Sequence, residues 1–154
     1  MMLPPSILVI CAGNLCRSPY AEGLLRKRLE KAGVYAEVFS RGLLDLRPQP
    51  VPREALKVAA GFGVDLSEHR SARLSLEELQ RAGLVLVMSA NQRKHIGTMY
   101  PPAIGKVFLL SQPEGGETVP DPIGKSEEVF REVYTQITEL VDLWLERFGI
   151  TPAS

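Results

Sequence analysis

Short aliphatic runs alternate with amphipathic segments along the chain, and this alternation constrains the fold more than any other feature of the sequence. Residues 6–10, 34–40, 84–88 and 106–110 have the length and composition of strands. The segments between them carry helical apolar spacing or helix-start signals. Strands that alternate with helices form a parallel sheet with helices on both faces. The sequence therefore predicts an α/β fold, a single three-layer domain over residues 1–154 around a four-stranded parallel sheet.

The first and last helices have the clearest predicted limits. Ser18 and Pro19 are residue types typical of an N-cap and a first helical position, and Gly33 marks the expected end of that helix. Apolar residues recur at 3.6-residue spacing over 129–148, and Gly149 ends the pattern.

Three shorter signals lie between these two helices. A short helix is expected over residues 52–60, where a proline stands at the start. Residues 75–78 (SLEE) and 89–92 (SANQ) have the pattern of capping boxes that open further helices. Residues 111–125 are rich in glycine and proline and are predicted to form a loop.

Charge and composition limit the classes of partner. Eighteen Lys and Arg balance eighteen Asp and Glu, so no overall field attracts nucleic acid or an anionic membrane, and neither is expected as a partner. No apolar run is long enough to span a bilayer, and no secretory pattern is visible. Two cysteines are too few for a disulfide framework. We therefore expect a cytoplasmic monomer that binds anions only at a local site.

Both cysteines lie in one segment, ICAGNLCRSPY, directly after the first predicted strand. A loop that joins a strand to a helix aims several backbone N–H groups at one point and adds the positive end of the helix dipole. Gly13 would let successive amides converge, and the planar guanidinium of Arg17 matches two oxygens of a phosphate. Residues 11–17, here called the anion loop, are thus predicted to cradle a tetrahedral dianion. Cys11 would lie at its floor as an in-line thiolate nucleophile.

Other sites that use cysteines or glycine-rich loops do not fit the segment. It lacks G-x-x-x-x-G-K-S/T, and it contains no lysine. A zinc site would need two ligands beyond Cys11 and Cys16, and His69 and His95 are the only histidines. The gap between the cysteines is too long for a C-x-x-C redox pair. We expect no metal and no cofactor, and a solvent-exposed His95.

The stretch CAGNLCRSP closely resembles the active-site loop of the low-molecular-weight protein tyrosine phosphatases, C-x-G-N-I/L-C-R-S-P. A second motif agrees with it, because Asp121 and Pro122 lie in the long loop before the last helix, where that family carries its general acid. Chain length and the order of strands and helices also match, so the resemblance covers nearly the whole chain.

The resemblance implies a phosphocysteine mechanism. Cys11 would attack phosphorus, and Asp121 would protonate the leaving oxygen and then activate water. Aryl phosphates are the expected substrates, as small molecules or as phosphotyrosine in proteins, since a phenol leaves more readily than an alkyl alcohol. Inorganic phosphate would be the product. The expected phosphate-binding residues are Ala12, Gly13, Asn14, Leu15, Cys16, Arg17 and Ser18.

The same resemblance implies supporting roles around the anion loop. Asn14 would hold the loop in shape, since asparagine tolerates the left-handed region. Ser40 and His69 match members of its hydrogen-bond network. Ser18 would donate a hydrogen bond to the Cys11 thiolate.

Three positions differ from familiar members of the family. Leu46, Ile123 and Gly124 fall where those members have aromatic residues, which predicts aliphatic or missing pocket walls and makes hydrolysis of phosphate monoesters a firmer expectation than action on phosphotyrosine proteins. Leu15 stands where members directed at phosphoarginine tend to carry threonine, and it favours a flat aryl group.

Two alternatives remain open from the sequence. An arsenate reductase shares the fold and the loop, and an external thiol would have to resolve its adduct, because no cysteine follows Cys16. Cys16 is a possible redox residue that would cap Cys11 reversibly by a disulfide under oxidant, or it is a small buried residue that fills the loop.

Overall fold

A computed structural model describes residues 2–151, and a four-stranded, all-parallel sheet forms its centre. The strands are β1 (Ser6–Cys11), β2 (Glu37–Gly42), β3 (Leu84–Val87) and β4 (Val107–Leu109), in the order β2-β1-β3-β4. Each run that predicts a strand contributes one of them, which confirms the predicted α/β class.

Helices cover both faces of the sheet, so the predicted layering is confirmed. Residues 2–151 contain α1 (Arg17–Lys31), α2 (Arg53–Gly61), α3 (Leu76–Arg81), α4 (Ala90–Met99) and α5 (Glu127–Arg147). Helices α1, α2 and α5 bury their apolar sides in one core, and α3 and α4 in the other. No helix in this part of the chain has the length and apolarity needed to cross a membrane.

Helix α1 begins earlier than its sequence predicts. Cys16 is the N-cap and Arg17 the first helical residue, so the prediction of Ser18 as N-cap and Pro19 as first residue is wrong. The reason is that the Ser18 hydroxyl is engaged by two side chains of the anion loop, Cys11 and Asn14, and does not cap the helix. Pro19 still lies in the first turn, where its missing N–H costs nothing.

Strand β2 is shifted toward the C-terminus relative to the predicted 34–40. Its register with β1 places Ser6 opposite Glu37 and Cys11 opposite Gly42, so β2 runs alongside the whole of β1. Val34 lies instead in the turn that follows α1, and its N–H donates to the Leu29 carbonyl at 3.0 Å.

Apart from the start of α1, the predicted helix signals are confirmed with one exception. Ser75 and Glu78 form a complete capping box at α3. At α4, Ser89 Oγ accepts from the Gln92 N–H at 3.2 Å, but Gln92 Oε1 accepts from the Met88 N–H at 2.8 Å, so the second half of that box is displaced by one residue.

The loop predicted over 111–125 is irregular apart from one 3-10 turn at Gln112–Glu114. A second 3-10 helix, Pro101–Lys106, precedes β4. Helix α5 is capped by Ser126 and is followed by Gly149 in the left-handed region, φ 76°.

Candidate active site

The anion loop lies at the point where the order of the strands in the sheet reverses. β2 lies on one side of β1 and β3 on the other, and ligands of such sheets bind beyond the carboxyl end of the strand at this point. Cys11 ends β1 and Arg17 begins α1, and both are buried. They border a small cavity of about 130 Å³. Its lining consists of Cys11, Ala12, Gly13, Leu15, Cys16, Arg17, Leu44, Leu46, Asp121 and Ile123.

Asn14 gives the anion loop its sharp turn. It has φ 57°, and it is the only non-glycine residue of 2–151 with a positive φ. Gly13 has no positive φ, and an added Cβ there would make ordinary 3.4 Å contacts with the side chains of Leu15 and Leu46. The left-handed residue of the anion loop is therefore Asn14, as the sequence analysis expects, and the turn requires no positive φ at Gly13.

A network of hydrogen bonds holds Asn14. Its Oδ1 accepts from the Ala72 N–H at 3.0 Å, and its Nδ2 donates to Ser18 Oγ at 2.8 Å and Ser40 Oγ at 2.9 Å. His69 Nε2 donates to the Asn14 carbonyl at 2.9 Å. The structure thus brings together the side chains of Asn14, Ser18, Ser40 and His69, while His95 is exposed on α4.

The two cysteines have different surroundings. Cys11 Sγ lies 3.0 Å from Ser18 Oγ. Cys16 is also a free, buried thiol, and burial, with a smaller contribution from Asp121, raises its pKa far above the ordinary value. Cys16 is therefore protonated at neutral pH, and its backbone carbonyl accepts a 2.8 Å hydrogen bond from the Tyr134 hydroxyl.

Arg17 is held at the edge of the cavity by two neighbours. Its Nη1 donates to the Val119 carbonyl at 2.9 Å, and its Nη2 lies 3.5 Å from Asp121 Oδ2. Its Nε is the one buried side-chain nitrogen or oxygen of residues 2–151 that has no hydrogen-bond partner. An unpaired buried N–H is costly, so an anion in the cavity would satisfy it.

Asp121 lies at the rim of the same cavity. Its side chain is 41% exposed, and Oδ1 accepts from the Ile123 N–H at 3.1 Å. The loop that carries it is fixed to the sheet, because the Val119 N–H donates to the Met88 carbonyl at 2.9 Å and Pro122 is buried. Asp121 and Arg17 thus line the same cavity as Cys11, with their side chains 3.5 Å apart.

The walls of the cavity are aliphatic, as the sequence predicts for Leu46 and Ile123. Leu15 and Leu44 complete them, and Gly124 is not part of the lining. Tyr20 lies away from the walls, buried and stacked on Tyr134 with ring centroids 4.1 Å apart. Among residues 2–151, no group of three or more His, Cys, Asp or Glu side chains is arranged to hold a metal ion.

Sequence reasoning missed three residues that support the anion loop. The first is Glu22, whose Oε1 accepts a 2.5 Å hydrogen bond from Ser40 Oγ. Tyr134 braces the end of the loop, and its place on the apolar face of α5 gives no sign of this polar contact. A Cβ added to Gly42 would lie 2.9 Å from the Ala12 carbonyl oxygen, and this close approach depends on the pairing of β2 with β1.

Comparisons with known proteins point to one family. The sequence profile of a family described as low molecular weight phosphotyrosine protein phosphatase matches residues 6–150. A probable low molecular weight protein-tyrosine-phosphatase, EpsP of Ralstonia nicotianae, is 39% identical over 142 residues, which cover 92% of this chain and 94% of EpsP.

Two solved structures share the fold, and each is 32% identical in sequence to this chain. Vibrio vulnificus Wzb in complex with benzylphosphonate has a TM-score of 0.87 and 32% identity, and the match covers 94% of this chain and 99% of Wzb. The YwlE arginine phosphatase from Geobacillus stearothermophilus has a TM-score of 0.86 and 32% identity over 95% of this chain and 94% of YwlE.

Proposed function

The chain belongs to the low molecular weight phosphotyrosine protein phosphatase family, and on that premise we propose that it hydrolyses phosphate monoesters through a phosphocysteine intermediate on Cys11. One observation carries the proposal: Cys11 and Arg17 line one cavity at the N-terminus of α1, and the buried Nε of Arg17 has no hydrogen-bond partner within residues 2–151. This arrangement supplies a nucleophile together with positive charge for a phosphoryl dianion.

In the first step, the Cys11 thiolate attacks phosphorus in line and the bond to the leaving oxygen breaks. The N–H groups of residues 12–17 and the guanidinium of Arg17 stabilise the equatorial oxygens as charge spreads over them. Asp121, at the open side of the cavity, gives its proton to the leaving oxygen. These groups provide the positive charge that the reaction needs, so the proposed mechanism requires no metal or cofactor.

In the second step, the Asp121 carboxylate takes a proton from water, and the water oxygen attacks phosphorus. The sulfur–phosphorus bond breaks, Cys11 leaves as a thiolate, and inorganic phosphate is released. The Ser18 hydroxyl, 3.0 Å from the sulfur, stabilises the departing thiolate.

Aryl phosphates are the proposed substrates, either small molecules or phosphotyrosine in proteins. The leaving phenol needs less protonation than an alkyl alcohol, and the walls formed by Leu15, Leu44, Leu46 and Ile123 suit a flat ring. The relative EpsP is named a protein-tyrosine-phosphatase, and the similar Wzb is described with benzylphosphonate. We also propose that the enzyme works as a monomer in the cytoplasm, where its two free cysteines would stay reduced.

The test is hydrolysis of p-nitrophenyl phosphate in EDTA at mildly acidic pH. Wild type should turn over, Cys11→Ser should be inactive, and Asp121→Asn should be slower by about 10²- to 10⁴-fold. His95→Ala, a change of an exposed residue on α4, should match wild type. Rapid quenching followed by phosphorus NMR should detect a phosphothioester.

No turnover by wild type, or full activity of Cys11→Ser, would contradict the proposal. The same preparations are then assayed for arsenate reduction with an added small thiol. Reduction that depends on Cys11, without phosphate release from p-nitrophenyl phosphate, would identify an arsenate reductase.

A further inference from the structure

We infer that Glu22 on α1 is a positioning residue, which fixes the Ser40 hydroxyl at the outer end of a hydrogen-bond network that reaches the sulfur of Cys11. The network runs from Glu22 through the side chains of Ser40, Asn14 and Ser18. Only the expected effect on catalysis rests on the proposed function, since it requires Cys11 to be the nucleophile.

The orientation of the Asn14 amide is set first. A backbone N–H can only donate, so the 3.0 Å contact with the Ala72 N–H identifies the Asn14 oxygen, and the amide nitrogen lies on the other side. That nitrogen has two hydrogens. It donates one to Ser18 Oγ at 2.8 Å and one to Ser40 Oγ at 2.9 Å. Both serine oxygens are therefore acceptors toward Asn14.

Each serine hydroxyl then has a single hydrogen left to place. The Ser18 hydrogen is directed at Cys11 Sγ, 3.0 Å away, which makes the sulfur an acceptor and favours the thiolate. The Ser40 hydrogen is directed at Glu22 Oε1, 2.5 Å away. A carboxylate has no hydrogen to give, so Glu22 determines that Ser40 points its hydrogen outward and its lone pairs toward Asn14.

Without an acceptor at position 22, the Ser40 hydroxyl is free to rotate. Its lone pairs then no longer face Asn14 in a fixed direction, and one of the bonds that keep Asn14 in the left-handed region weakens. Loss of Glu22 is therefore expected to reach Cys11, although the two residues are not in contact.

The carboxylate of Glu22 is itself held in place. Its Oε2 lies 2.7 Å from Arg26 Nη1, and its side chain is only 13% exposed. Arg26 is fixed in turn, because its Nε and Nη2 donate to the Val38 carbonyl of β2 at 3.0 and 2.7 Å. The outer end of the network is thus preorganised by the backbone of the sheet.

A cleft of about 350 Å³ lies beside this outer end, and none of its lining residues lines the cavity over Cys11. Glu22, Arg26, Ser40 and His69 contribute to its lining. A small carboxylate such as formate can therefore reach the space that a truncated Glu22 would leave. This access makes the inference testable by chemical rescue.

The experiment compares Glu22→Ala and Glu22→Gln with Glu30→Ala, a control on the exposed side of the same helix. The first readout needs no turnover: the pH dependence of Cys11 alkylation by iodoacetamide, located by mass spectrometry. Its midpoint should rise by about 0.5–1 pH unit in Glu22→Ala. The kcat/KM for p-nitrophenyl phosphate should fall about tenfold. Glu22→Gln keeps an oxygen acceptor and should stay near wild type, as should Glu30→Ala.

Formate should restore a large part of the Glu22→Ala activity and should not restore that of Glu22→Ala combined with Ser40→Ala. Thermal unfolding of each variant separates positioning from loss of folding. A wild-type alkylation midpoint in folded Glu22→Ala would overturn the inference, as would equal impairment of the Ala and Gln variants without rescue. If wild type fails to hydrolyse p-nitrophenyl phosphate while the alkylation midpoint still responds to Glu22, the proposed function fails and the inference stands.

Discussion

Replacing Gly42 by alanine should damage the anion loop, because the new methyl group would press on the loop backbone although Gly42 does not line the cavity. The new methyl carbon would lie 2.9 Å from the Ala12 carbonyl oxygen and from the Gly13 carbonyl carbon, and 3.0 Å from the Asn14 nitrogen. Since carbon contacts are comfortable only from about 3.5 Å, the loop backbone would have to retreat by roughly half an ångström.

The loop cannot retreat without breaking hydrogen bonds. The Ala12 carbonyl accepts from the N–H groups of Leu43 and Leu44 at 2.9 and 3.0 Å, while the Gly42 N–H donates to the Ala72 carbonyl at 2.8 Å. Overpacking of this kind costs about 1–3 kcal/mol of unfolding free energy. Because a 1 Å displacement of a reacting group can cost about 10²-fold, we expect kcat/KM to fall by about ten- to a hundredfold.

The assay is hydrolysis of p-nitrophenyl phosphate together with urea unfolding of the same preparations. Gly61→Ala is the matched control, because a Cβ at the end of α2 would meet nothing within 4 Å and the residue has no positive φ. It should leave kcat/KM unchanged. Wild-type kcat/KM and wild-type unfolding free energy in Gly42→Ala would refute the reasoning that the contact with β2 shapes the loop.

Two further changes test the surroundings of the site. Tyr134→Phe removes the 2.8 Å hydrogen bond to the Cys16 carbonyl but keeps the ring stacked on Tyr20, so urea unfolding should show a loss of about 1 kcal/mol, and an unchanged free energy would contradict this. At Glu78, burial, which raises a carboxyl pKa, is outweighed by hydrogen bonds from Arg41 and Ser75, so the pKa lies below its usual 4.5. This carboxylate therefore stabilises the fold above that pH, and the benefit is lost as pH falls through the folded-state pKa. The difference in unfolding free energy between wild type and Glu78→Gln should shrink from neutral pH to about pH 3, and a constant difference would count against it.

The elements that the sequence predicts well are those whose signals are local. Helix α5 (Glu127–Arg147) follows from the apolar spacing predicted over 129–148, and the capping box at Ser75 depends on residues three apart. The strands follow from short aliphatic runs. The position of the anion loop in the sequence, directly after a buried strand and directly before a helix, is a local signal as well. It predicts the cavity that Cys11 and Arg17 line.

The errors concern residues with distant partners. Ser18 has the residue type of an N-cap, yet its hydroxyl bonds Cys11 and Asn14, so the helix begins two residues before Pro19. Glu22 reads from sequence as an ordinary helix-surface acid, because its role depends on Ser40, eighteen positions away. No periodicity or local motif encodes such a contact.

The register of β1 with β2 explains why these distant contacts converge. Cys11 pairs with Gly42, so the proposed nucleophile ends its strand beside the one residue type that leaves room for the loop. Val9 pairs with Ser40, and Val38, two residues before Ser40, is buried in the core that α1 covers. Ser40 therefore faces α1, within reach of both Asn14 and Glu22. A shift of one residue in this pairing would turn Ser40 to the opposite face and bring a side chain against the loop. The site is thus built as much by β2 as by the loop itself, and the loop sequence placed in another strand–helix unit without these β2 residues should bind phosphate poorly.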